Sequence, residues 1–257
     1  MAKWTPFPYA GEYEFDVVSL KKNWARLHTG DCEPLPKEAA VLQAWTLFHN
    51  GKFQQAAEAG IKAGGDGITV ANKATSIYAN YLEKKEKKKL ELLMEVARRA
   101  KAQQAVDPKN PNAWYWQAYA LGRYSQGISV AKALAQGLGG KVKVALENTI
   151  TLQPKHADAH VALGAFHAEV IDKVGSLIGG MTYGARKDTG LALFEEALKL
   201  NPGSAIAMME HANGIVMLEG DKKMKEATQL YEQAAASKPL DATERLDVEM
   251  AKAELED

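Results

Sequence analysis

The chain has 257 residues, 46% of them hydrophobic and 25% charged, with 32 basic and 32 acidic side chains that cancel to a formal net charge of zero. That is an ordinary globular balance, long enough for a buried core, and it gives no electrostatic case for nucleic acid or an anionic membrane as the main partner. A single cysteine, Cys32, excludes an intrachain disulfide framework and fits a reducing compartment.

No apolar run approaches the ~20 residues that span a bilayer. The opening Met-Ala-Lys-Trp-Thr-Pro-Phe-Pro-Tyr carries no apolar stretch of a secretory signal. The expectation is a cytoplasmic protein, or a periplasmic one if a leader has been removed. Cys32, in Thr-Gly-Asp-Cys-Glu-Pro, has no neighbouring base and reads as a plain thiol.

Residues 1–36 are irregular and aromatic, with Trp4, Phe7, Tyr9, Tyr13, Phe15 and Trp24 among prolines and glycines. Aromatics at this density are rarely left in water. We expect an arm followed by a short helix near Asp16–Leu27, covering the end of the helical array beyond it. A ligand-gripping arm is the alternative.

From Pro34 onward the chain repeats. Pro34, Pro108, Pro154 and Pro202 are each followed five residues on by Ala39, Ala113, Ala159 and Ala207, and ten residues on by Ala44, Ala118, Gly164 and Ala212. Small residues at those offsets share a helical face and let a neighbouring helix approach closely. The boundary missing between Pro34 and Pro108 falls near Thr69, where Ala74 and Ala79 take the same offsets. Five helix pairs follow, at about 37–68, 70–107, 111–153, 157–201 and 204–238.

The second helices show an apolar stripe, as in Leu90–Val106, Lys141–Leu152, Leu191–Leu200 and Lys225–Ala236. The clearest stops at Asn201-Pro202-Gly203, because proline and the residue before it resist helical continuation. A last helix, Ala242–Leu255, has the polar outer face of a C-terminal cap within 239–257. The basic run Lys84 to Lys89, interrupted and flanked by glutamates, reads as a solvated face.

These residues resemble the tetratricopeptide repeat: Trp114 with Ala118, Phe194 with Ala197 and Pro202, and Gly220-Asp221 ahead of Ala227, Tyr231 and Ala234. The likeness covers 37–238 and is strongest from Pro108 to Pro239. It implies an all-α, right-handed α-solenoid of about five helix-turn-helix pairs with a C-terminal capping helix. Two pairs, 111–153 and 157–201, exceed the usual 34-residue unit by 12 and 14 residues. Both surpluses fall between the two helices of the pair. The central Asn112 to Glu169 also resembles the regulator-of-microtubule-dynamics family and related bacterial helical-repeat proteins, at structural positions only.

Three constellations could carry chemistry. His156, His160 and His167 share a face if all are helical, with Asp158 and Glu169 near. Yet His156 precedes the established helix, and His160 takes the position of Trp114 in the preceding repeat, so we read packing and capping and expect no metal. Gly137-Leu-Gly-Gly-Lys141 opens a helix but lacks the spacing and hydroxyl of a phosphate-binding loop. The glycine-rich 175–187 belongs to the second surplus. With Ile128, Val130, Leu134, Leu138, Val174, Leu177, Ile178 and Met181, the segments 123–140 and 169–188 are expected either to pack on each other or to form a lid or homo-oligomer contact.

The resemblance places ligands on the inner face made by the first helices. Here the inward positions are Trp45, Asn80, Tyr115, Tyr119, Arg123, Met209 and Asn213. The lysine, asparagine and arginine pattern that grips a peptide carboxylate in this family is absent, since Val41, Trp45, Tyr115, Tyr119, Val161 and Ala165 stand at those sites. An aromatic groove with one arginine suits an apolar or aromatic ligand, or an extended peptide; simple packing of the aromatics is the alternative. No nucleophile constellation appears. The expected function is a non-enzymatic protein- or peptide-binding scaffold without cofactor. The alternative is a transporter-associated small-ligand protein whose pocket the inserted segments close.

Overall fold

In a computed structural model of the protein, which describes residues 3–256, all regular structure among those residues is helical. After the arm comes α1 (Val17–Leu27), started by a reciprocal cap between Asp16 and Ser19. Then α2 (Ala39–His49) pairs with α3 (Phe53–Ala63), and α4 (Gly67–Ile77) with α5 (Glu86–Val106). A π turn, Tyr78–Leu82, extends α4. Next α6 (Pro111–Gln126) pairs with α8 (Leu138–Leu152), and the surplus between them folds into the short α7 (Val130–Ala135). In the following pair, α9 (Ala157–Val174) and α11 (Lys187–Leu200) flank α10 (Ser176–Tyr183). The last pair is α12 (Ala205–Glu219) and α13 (Met224–Ala235), followed by α14 (Ala242–Glu256).

The second helices begin one to four residues before the expected stripe, α5 at Glu86, α8 at Leu138, α11 at Lys187 and α13 at Met224. Repeat boundaries follow one local rule. Two residues after Pro108, Pro154 and Pro202 a side chain caps the first helix by accepting the N–H of the alanine three residues on: Asn110 from Ala113, His156 from Ala159, Ser204 from Ala207. Six residues after the proline, a ring N–H donates back to the proline carbonyl, from Trp114 to Pro108 and from His160 to Pro154, both at 2.9 Å.

The described chain forms two compact units. The first comprises residues up to His28, Glu33–Leu152 and Leu240–Thr243; the second comprises Thr29–Cys32, Gln153–Pro239 and the remainder from Glu244. In the first, α3 and α4 cross backbone to backbone: a Cβ on Gly60 would stand 2.4 Å from the carbonyl oxygen of Gly67. The outer α5 holds α4 through polar groups. Arg99 donates to Asn72 Oδ1, the Ala71 carbonyl and Thr75 Oγ1, while Gln103 donates to Thr69.

The second unit closes around Phe194. Its fully buried ring meets α9 at Gly164 and α12 at Gly214, where added Cβ atoms would lie 3.0 and 2.3 Å from it, and the His211 ring stacks on it at 5.2 Å. Met209, Ala205, Ala234, Val248 and Ala251 form a further cluster.

Candidate functional site

The first helices α2, α4 and α6 of the first unit place large and polar side chains on one face. Residues Trp45 and His49 lie a turn apart on α2, Lys73 on α4, and Asn112, Tyr115 and Tyr119 on α6. Trp45 is wholly buried, because α1 covers it: the Trp24 ring meets it edge-on at 5.7 Å and His28 at 4.6 Å. Lys73, 8% exposed, sets its ammonium 5.6 Å from the Trp45 ring centre and 5.3 Å from that of Phe48, positions in which the ring faces offset part of its desolvation.

A buried polar chain crosses this face. His49 Nδ1 lies 2.6 Å from Asp241 Oδ2, and its Nε2 lies 3.3 Å from Nε2 of His28. The carboxylate can only accept, so His49 carries its proton on Nδ1. In neutral His49 the Nε2 lone pair then receives the Nε2–H of His28. All three residues are at most 3% exposed. Further along, Trp24 Nε1–H donates to the Glu33 carbonyl at 2.8 Å, and the Asn112 amide donates to the buried Glu33 carboxylate. The face that these first helices present is thus occupied by the protein's own Trp24, His28, Glu33 and Asp241.

Residues 3–15 lie elsewhere in this unit, over the α2–α3 turn and the end of α4. Asn50 grips the main chain of Phe15 twice, accepting its N–H at 2.7 Å and donating to its carbonyl at 2.9 Å. Trp4 stacks on Tyr78 at 4.2 Å. The aromatic N-terminal segment therefore covers both the end of the first pair and part of the first-helix face.

The residues expected to line a groove divide accordingly. Trp45 belongs to the covered core, and Tyr115, at 6% exposed, packs beside Trp116. Tyr119 and Arg123 are half-buried, with the guanidinium 5.5 Å over the Tyr119 ring and donating to Gln126. Asn80 sits half-buried in the π turn. Met209 and Asn213 lie in the second unit: Met209 is core, and Asn213 accepts the hydroxyl of Tyr231. Burial, followed by the nearby Glu254 and Glu210, pushes that phenol up to about 12.

The three histidines of 156–167 each engage a backbone group. His156 caps α9, His160 donates to the Pro154 carbonyl, and His167 Nδ1 accepts the N–H of Arg186 at 3.0 Å. No group of three His, Cys, Asp or Glu side chains is placed to hold a metal among the described residues. No helix among them is long and apolar enough to cross a membrane. Sequence reasoning missed His28, His49, Lys73 and Asp241. The signal for two of them was there: His49 is the only titratable side chain of α2 and Lys73 the only one of α4.

Comparison with known proteins places this geometry in context. The family model described as RMD1-3: Regulator of microtubule dynamics protein 1-3 matches residues 66–257, well over half of the chain. Among solved structures, a thermophilic TPR protein from Thermus thermophilus is similar over 83% of this chain and 97% of its own, with a TM-score of 0.58 and 16% identity. At that identity the likeness shows the fold, a tetratricopeptide-like helical repeat. No curated protein matches.

Proposed function

We propose that this chain, which belongs to the regulator of microtubule dynamics protein 1-3 family, is a non-enzymatic scaffold that binds an extended segment of a protein partner. One observation carries the reading: the first unit already holds extended chain in the manner of a peptide receptor. It takes the Phe15 main chain through both groups of the Asn50 amide, and the Glu33 side chain through Asn112. Paired main-chain bonds supply affinity without demanding a sequence, and ring pockets supply selectivity. A helical-repeat fold suits protein partners in general.

On this reading the partner meets α6 where Tyr119 and Arg123 reach the surface, with Asn80 of the π turn completing the face. A stacked tyrosine–guanidinium pair offers both a flat apolar surface and donors for a carbonyl. The exposed face of α10, with Leu177, Ile178 and Met181 at 77, 58 and 83% exposure, is the counterpart for self-association in the second unit.

A photo-crosslinking residue at position 119, compared with one at the exposed Val144 of α8, tests the reading. Labelling of a polypeptide at 119, absent at 144 and lost with Arg123→Ala, is expected. Equal labelling at the two positions counts against it.

A further inference from the structure

Residues 3–7 occupy a seat built by the first unit. The Trp4 ring lies on Tyr78 at 4.2 Å with 12° between planes. Phe7 meets Phe53 edge-on at 6.0 Å and covers Gly51, where a Cβ would stand 2.5 Å from its ring. Gln54 Oε1 accepts the N–H of Trp4 at 2.9 Å, and the Tyr78 hydroxyl accepts that of Thr5 at 3.3 Å. Pro6 has no N–H and needs no acceptor. Trp4 and Phe7 are 8 and 5% exposed, whereas Lys3, Thr5 and Pro6 face solvent.

This is how an extended ligand is read. Two rings three residues apart enter pockets, two amides are satisfied from the receptor, and the remaining side chains point away. The receptor side is preformed by elements with their own reasons to exist. Tyr78 is placed by the π turn and donates its hydroxyl to Glu83, Phe53 packs on Phe48, and Gly51 closes the α2–α3 turn at φ +75°. The next anchor is the Asn50–Phe15 pair. Between the two anchors residues 10–12 are exposed, and Gly11, at φ +89°, has open space around it. This exposed stretch is the joint about which residues 3–7 would part from the Phe15 anchor, giving up the Phe7–Tyr13 ring contact at 6.4 Å.

We propose that this seat is a recognition site for another polypeptide's extended aromatic-x-Pro-aromatic segment, and that the chain's own Trp4-Thr5-Pro6-Phe7 is its resident competitor. The residues differ from Tyr119 and Arg123, so the site stands or falls separately from the scaffold face on α6.

The probe is a fluorescent peptide of residues Lys3–Tyr9, titrated by anisotropy into the full chain and into the full chain carrying Trp4→Ser and Phe7→Ser. A tethered competitor acts at an effective concentration near millimolar, so the double variant is expected to bind the peptide roughly tenfold or more tightly than the unaltered chain. Adding Tyr78→Ala abolishes that binding. Should Tyr78→Ala unfold the unit, Gln54→Ala, which removes only the acceptor for the first amide, weakens binding severalfold instead. Hydrogen exchange on the unaltered chain gives a second readout, with the Trp4 and Thr5 amides losing protection at saturating peptide. Equal affinity for the unaltered and doubly substituted chains, or protection that survives saturation, overturns the proposal.

Discussion

The two compact units bury their helix faces by different means. In the second, glycines and alanines let α9, α11 and α12 close directly around one ring, Phe194. In the first, α2, α4 and α6 carry Trp45, His49, Lys73 and Asn112, side chains too large and too polar to close on each other. They are finished by α1, Glu33 and Asp241, drawn from distant parts of the chain. Small residues let helices close directly on one another, whereas large aromatic and polar ones make a face that needs a cover. A face that needs a cover can accept a segment of chain, and for that reason the peptide-binding reading rests on the first unit.

The largest effect that would break this contrast lies in the second unit. Phe194→Ala removes a fully buried ring between two glycines that cannot fill the space, at an expected cost of about 3–5 kcal/mol. Denaturant unfolding measures the loss, and hydrogen exchange should place it in α9, α11 and α12, with α2 to α5 unaffected. Loss of protection across both units to the same degree would show that they do not close independently.

A smaller effect sharpens the first unit. Asp241→Ala leaves the buried Nδ1–H of His49 without its acceptor, which costs about 1–3 kcal/mol. Exchange protection should fall in α1 and at the α2 terminus. Combining it with His49→Phe should recover part of the cost, since an apolar ring needs no acceptor. An additive double variant would mean that the pair does not hold the cover.

How much of this was legible in the sequence depends on the range of the interaction. The helix pairs, the small residues at fixed offsets and the capping role of His156 are local, and the small residues and the cap fall within ten residues of a proline that follows a helix. Even the role of His160 followed from alignment with Trp114, and the structure adds the ring N–H bond that the two share. What could not be read is non-local. His49 and Asp241 are 192 residues apart, and Asn112 and Glu33 are 79 apart. The π turn that places Tyr78 leaves no period of its own in five residues. Among the groove candidates, inward position alone could not tell Trp45, which the chain itself covers, from Tyr119, which reaches the surface.

The smallest expected effect concerns the loop that belongs to the second unit but lies far from it in sequence. Residues 29–32 close on the start of α9. The Gly30 carbonyl accepts the N–H of Asp158 at 3.1 Å, and Cys32, left-handed at φ 49°, donates its thiol to the Lys155 carbonyl at 3.2 Å. Burial first, then the charges of Asp31 and Asp158, push the thiol from an ordinary 9.0 to about 11. The folded value is raised, so the fold favours the neutral thiol. The contribution is complete below pH 9 and is lost as pH climbs through 11. At pH 8 the thiolate fraction falls roughly hundredfold below that of a free thiol, and iodoacetamide should modify Cys32 slower by the same factor. The rate should rise about tenfold per pH unit until it levels near 11, whereas the unfolded chain in guanidinium levels near 9. A folded chain that already levels near 9 would mean that the loop stands open in solution.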